Sequence, residues 1–226
     1  MNIIEYLKIN KEDIETKFKN SFVSKVTMPT KVDLVLTFSR NKTYSLVLSL
    51  NSLFPFIKCY EYKNNFSLPN PFLNKIKFRL LNSYLESAEI LNDDNIISLN
   101  FIKVNDTYDR SNFSLIFEIF KANANLIFVS ENKIIEAFRF RGLDSKHPIL
   151  NEITYLFPAK SLVSKEFKEE SLINNYLNNL EKSYLKEKYG SILISLRRKI
   201  KSLNIKLEKL NHEKSLDLEH LVYKDY

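Results

Sequence analysis

The chain has 226 residues, 44% of them hydrophobic, and a formal net charge of +7, which suits one ordinary domain plus an appendage and argues against wholesale disorder. Two glycines exclude a Walker loop or a dinucleotide turn, and one cysteine excludes an intrachain disulfide. The basic excess fits an anionic partner, RNA being the commonest inside cells, or the Lys- and Asn-loaded composition of an AT-rich genome.

The N-terminus, MNIIEYLKINKEDIETKF, carries charges throughout and lacks an apolar core of signal-peptide length. No window approaches the ~20 apolar residues of a membrane span. With the lone cysteine, these features predict a cytoplasmic protein. Ile3, Ile4, Leu7, Ile14 and Phe18 fall on one side of an amphipathic helix over 3–19. Strand-like runs follow at Phe22–Met28, Asp33–Ser39 and Thr43–Leu50, with Arg40, Asn41 and Lys42 as a hairpin turn. A fourth strand is predicted at Phe56–Tyr60. Pro71 then opens a helix along which Phe72, Ile76, Leu80 and Tyr84 recur.

Strands are predicted at Glu86–Leu91 and Ile96–Val104. After a charged loop, Asn105–Ser111, the run FSLIFEIFKANANLIFVSENKIIEAFRF places three more strands around a polar break and a turn at Ser130–Asn132. Short strands joined by hairpins, with helices set apart, indicate an α+β fold with an antiparallel β sandwich or barrel over about 1–160. From about Lys165 to 226 the pattern turns helical. Tyr189, Ile192, Leu196, Leu203, Leu207 and Leu210 step by three, four or seven, a coiled-coil stripe, and Gly190 marks a break between two helical segments. The chain stops at LVYKDY without a cap or turn signal, which points to a shortened protein.

Candidate chemistry is sparse. Cys59 ends an apolar strand and reads as a small buried hydrophobe. His147 precedes Pro148 in a loop, with no catalytic partner marked by spacing. His147, His212, His220 and Cys59 have no metal-ligand spacing, so neither a metal nor a cofactor is expected. Asn92–Asn95 reads as a turn around Asp93 and Asp94. Basic residues gather at Lys75, Lys77 and Arg79, at Arg139 and Arg141, and at Arg197, Arg198, Lys199 and Lys201. The last group has four cations in five residues, the best placed for RNA phosphates. The many Phe and Tyr residues fall on inward phases and read as core.

Several segments, in order, resemble the N-terminal domain of the NFACT family (RqcH, or fibronectin-binding protein A-like) over about 20–160. VSKVTMPTKVDLVLTF resembles its opening strands, and PNPFLNKIKFRLLNSYLESAEIL its helix and following strand. IFEIFKANANLIFVSENKIIEAF resembles its "VEIMGRHSNIILVD" run, and SLRRKIKSLNIKLEKL the start of its coiled coil. The resemblance implies a fold similar to the N-terminal domain of formamidopyrimidine-DNA glycosylases. Asn2 replaces the catalytic proline, so glycosylase chemistry is not implied.

The family acts in ribosome quality control, where it binds the obstructed large ribosomal subunit and recruits tRNA, in bacteria charged with alanine. Peptide-bond formation belongs to the ribosome, so the resemblance implies a binding factor and not an enzyme. The family's Asp-Arg pair aligns with Asp94 and Asn95, its "GRHSN" with Lys121 to Asn125, and an arginine with Lys77. The lost arginine weakens the expectation of tRNA recruitment and tailing. Too little sequence separates Ala159 from the heptads for the family's helix-hairpin-helix module, and none is left for its C-terminal RNA-binding domain. The expected tRNA-facing site is Asp94, Asn95, Lys77, Lys121 and Asn125. The rival expectation is a coiled-coil interaction module, with a helical partner or a second copy and no RNA.

Overall fold

A computed structural model describes residues 1–62, 64–105, 108–159 and 170–222. Helix α1 (Ile3–Phe18) starts at a capping box. The Asn2 side chain accepts the Glu5 N–H at 2.8 Å, and the Glu5 carboxylate accepts the Asn2 N–H at 2.9 Å. Its buried side carries Ile3, Leu7, Ile14 and Phe18, and Phe18 stacks on Phe38 at 4.4 Å.

Strands β1 (Val23–Thr27), β2 (Asp33–Phe38), β3 (Ser45–Ser49) and β4 (Phe56–Tyr60) form an antiparallel meander in that order. Helix α2 (Pro71–Leu80) begins with Pro71 at the position where a missing N–H is harmless, and the Asn70 side chain accepts from the N–H groups of Phe72 and Leu73. The helix ends at Leu80. Asn82 takes φ +63°, a left-handed conformation that stops the helix, so Tyr84, expected on α2, instead opens the next strand.

The second sheet has the order β5 (Tyr84–Ile90), β6 (Ile96–Val104), β7 (Arg110–Glu118), β8 (Asn125–Ser130) and β9 (Lys133–Ala137), all antiparallel. β7 begins three residues before the expected Phe113, because β6 and β7 stay in register from Ile96 opposite Glu118 to Val104 opposite Arg110. Alternation divides the burial. Phe113, Leu115 and Phe117 join the principal core shared by both sheets. Ile116 faces the other way, into a smaller core with Ile96, Ile127, Val129, Ile134 and Ile149. The expected α+β architecture with antiparallel sheets is the one observed.

Helices α3 (Glu170–Asn178) and α4 (Leu180–Val222) follow; the expected onset near Lys165 lies outside the described residues. Ile173, Leu177 and Leu180 join the principal core, and Tyr176 donates to the buried Asp33 carboxylate at 2.6 Å. One compact unit therefore runs to Tyr184, and Leu185–Tyr226 forms a second. The break expected at Gly190 lies instead at Asn179, and α4 passes through Gly190. A mid-helix glycine costs about 1 kcal/mol against alanine, less than the cooperative gain from the helix formers around it. No helix among the described residues is long and apolar enough to cross a membrane.

Candidate functional site

At one end of the second sheet, the β5–β6 turn, the 3-10 turn Lys121–Asn123 and the segment after β9 meet. Glu118 lies opposite both Ile96 and Asn125, and the Ile119 N–H donates to the Asn95 carbonyl at 2.8 Å. Glu118 is fully buried. Its Oε1 lies 2.6 Å from His147 Nε2 and accepts the Tyr155 hydroxyl at 3.1 Å. Its Oε2 lies 3.3 Å from an Arg141 guanidinium nitrogen. Arg141 also donates to the Asn123 carbonyl at 2.9 Å, and Arg139 donates to the carbonyls of Ala122 and Ala124 at 2.7 and 3.1 Å. Both arginines flagged in the sequence are thus engaged in holding the 121–124 turn. Burial pushes the Tyr155 phenol well above its ordinary range; Glu118, by charge and hydrogen bond, and Asp94 add to this, while Arg141 opposes it.

Asp94, Asn95 and Lys121 are brought to this end of the sheet. Asp94 is only 3% exposed, so it is set into the turn. Its Oδ1 accepts the Asn95 N–H at 2.7 Å, and its buried Oδ2 makes no hydrogen bond among the described residues. Asn92 and Asp93 both take positive φ, which builds the tight turn read from the sequence. Lys121 is exposed at φ +42°. Asn125 is fully buried, and its amide closes on Arg139, donating to the carbonyl at 2.8 Å and accepting the N–H at 2.9 Å. It positions the chain and is not open to a ligand. Lys77 stands exposed on α2, a helix that packs against β1, β6 and β9.

Sequence reasoning passed over Glu118 and Tyr155. The available signal was an acid inside the apolar run FSLIFEIF, where a charge persists only if paired. Cys59 is buried, and burial pushes its thiol far above the ordinary range, with Asp13 adding to the effect. Among the described residues no group of three or more His, Cys, Asp or Glu is placed to hold a metal ion.

On α4, Arg197, Arg198, Lys199 and Lys201 are all exposed. At the ~100° per residue of an α-helix, Arg198, Lys201, Lys206 and Lys209 share one side, and they line one shallow groove with Ser202 and Ile205. Arg197 and Lys199 lie to either side of that face. Leu185, Tyr189, Ile192, Leu196, Ile200, Leu203, Leu207 and Leu210 run along the opposite side, each at least 41% exposed. The arm is therefore amphipathic, basic on one face and apolar on the other.

The sequence profile described as NFACT N-terminal and middle domains matches residues 6–188. No curated protein matches. Among solved structures, the N-terminal part of the fibronectin/fibrinogen-binding protein of Streptococcus suis is similar with a TM-score of 0.65 and 24% identity, over 71% of this chain and 62% of that one. The N-terminal domain of the fibronectin-binding protein PavA of Streptococcus pneumoniae is similar with a TM-score of 0.63 and 24% identity, over 86% and 82%. The fibrinogen-binding protein of Staphylococcus aureus is similar with a TM-score of 0.60 and 21% identity, over 70% and 56%. These likenesses show a shared fold.

Proposed function

The chain belongs to the NFACT family, and from that premise we propose that it is a cytoplasmic, ribosome-quality-control-like binding factor that docks on the large ribosomal subunit and on tRNA. The observation that carries this reading beyond the family is the basic face of α4, where Arg198, Lys201, Lys206 and Lys209 are aligned to neutralise phosphates. At the other candidate surface, Asn95 and Lys121 present the reachable groups, with the Asp94 carboxylate and the Ile119 N–H fixing the Asn95 backbone. In this reading the chain positions its partners and leaves peptide-bond formation to the ribosome.

A second reading has its own observation. The exposed apolar stripe of α4 fits another helix, and in that reading the chain is a coiled-coil module without RNA. Co-sedimentation decides between them. The chain is spun with large subunits carrying a peptidyl-tRNA, with empty subunits and with free tRNA, at two salt concentrations. Immobilised fibronectin, taken from the names of the streptococcal relatives, serves as a further arm. Preferential binding to the obstructed subunit supports the proposal. Equal, salt-erased binding to everything refutes it, and concentration-dependent dimerisation without RNA affinity favours the second reading. Reversing charge at Arg197 and Arg198 weakens RNA binding and flattens its dependence on salt if the arm is the contact.

A further inference from the structure

Helix α2 buries Phe72, Leu73, Ile76 and Leu80 but leaves Phe78 80% exposed. A lone exposed apolar side chain needs no explanation by itself. Phe78 is not alone. The Lys103 ammonium, reaching across from β6, lies 4.6 Å from the ring centroid and donates to the Phe78 carbonyl at 2.7 Å. Partial burial lowers the pKa of Lys103. Lys77 and Arg79 flank Phe78, and both are exposed. Arg79 lies over the Phe128 ring at 5.9 Å, and Lys75 is paired with Glu136 at 2.7 Å. Neither α2 nor β6 contains an acidic residue. The hairpin that follows β6 adds Tyr108, 87% exposed, and Arg110, and its sequence carries two acids, Asp106 and Asp109, the latter bonded to Asn105.

An aromatic face held beside cations, on a helix and a strand that themselves carry no acid, is the chemistry of a base-stacking platform. The ring offers a π-face to any base, and the cations meet the phosphates on either side of it. We propose that Phe78, backed by Lys103 and flanked by Lys77 and Arg79, stacks one unpaired base of single-stranded RNA. This rests on the RNA-binding reading and assigns it a surface distinct from both α4 and the turn at Asp94. It also gives Lys77 a role on the element where the fold places it.

The chain contains no tryptophan, so Phe78→Trp installs a single indole reporter at the platform. A ten-nucleotide oligoadenylate RNA is titrated at low salt against this variant and against Leu53→Trp, whose site is 72% exposed in the β3–β4 loop. Stacking quenches the first indole and leaves the second unchanged. Phe78→Ala weakens oligonucleotide binding about 5- to 150-fold, the equivalent of one stacked base, while Phe78→Tyr retains it. Because the side chain is exposed, the melting temperature of these variants stays at the parent value, which separates loss of stacking from loss of fold. Equal quenching at both sites, no quenching at Phe78→Trp, or a change under twofold in Phe78→Ala overturns the proposal. If the parent chain still co-sediments with obstructed subunits in that case, the platform alone has failed. If it binds neither subunit nor oligonucleotide, the RNA reading has failed with it, and the patch passes to a protein partner.

Discussion

Replacing Glu118 tests whether one buried carboxylate organises the whole end of the second sheet. It is inaccessible to solvent and serves His147, Tyr155 and Arg141 at 2.6, 3.1 and 3.3 Å. Hydrogen bonds to a charged group contribute about 1.5–3 kcal/mol each, and removing one partner of a buried ion pair costs about 3–5 kcal/mol. The Arg141 side chain is 23% exposed, so water recovers part of that loss. Glu118→Ala should therefore destabilise the chain by about 3–4 kcal/mol, and Glu118→Gln, which keeps the shape and one acceptor, by about 1.5–3 kcal/mol. Urea unfolding followed by far-ultraviolet circular dichroism measures both, read from the midpoint at constant slope. A cycle with Tyr155→Phe should show a coupling of about 1 kcal/mol, since both changes remove the same bond. Glu118→Gln within about 0.5 kcal/mol of the parent, or a coupling of zero, refutes the reasoning.

Tyr176→Phe removes the 2.6 Å bond that ties α3 to the buried Asp33, and should cost about 1.5–3 kcal/mol in thermal or urea unfolding while speeding protease cleavage within α3. Cys59 should resist a thiol reagent in the native chain and react fully in denaturant, because burial both hides the thiol and disfavours its thiolate. Alkaline stability follows from groups whose folded pKa is raised: Tyr62, pushed up to about 12, with Tyr6, Tyr155 and Cys59 also raised, all chiefly by burial. Such groups contribute stability that is fully present below their unfolded pKa and is lost as pH rises toward the folded one. The unfolding free energy should therefore hold below about pH 8.5 and fall beyond it, by about 1.4 kcal/mol per pH unit for each group in its window, and the melting temperature should fall with it. A flat profile from pH 8 to 11 would contradict the burial of these side chains.

Regular elements were legible where the pattern was local. β4 and β6 begin and end where alternation and apolar runs place them, at Phe56–Tyr60 and Ile96–Val104. Asn82 hid the end of α2, because the period of Phe72, Ile76 and Leu80 extends by chance to Tyr84, and only the left-handed φ reveals the stop. Gly190 misled for the opposite reason: a glycine signals a break, and a long helix overrides it. The site was legible in outline. Asp94, Asn95 and Lys121 sit near one another because β5 to β8 are consecutive antiparallel strands. The buried state of Asp94 and Asn125 was not legible, nor was the reach of His147 to Glu118, since these depend on how the 139–155 segment folds back over the sheet.

The opposition of the two faces of α4 sets a rule of occupancy. A helix lying along the apolar stripe leaves Arg198, Lys201, Lys206 and Lys209 hydrated, and a nucleic acid held by those cations leaves the stripe clear. The two loads are additive, not competitive. Salt separates them, since raising it strips the anionic ligand by counterion release and leaves apolar packing in place. A titration with one ligand would then leave the apparent affinity for the other unchanged, apart from whatever ordering both impose on the helix they share.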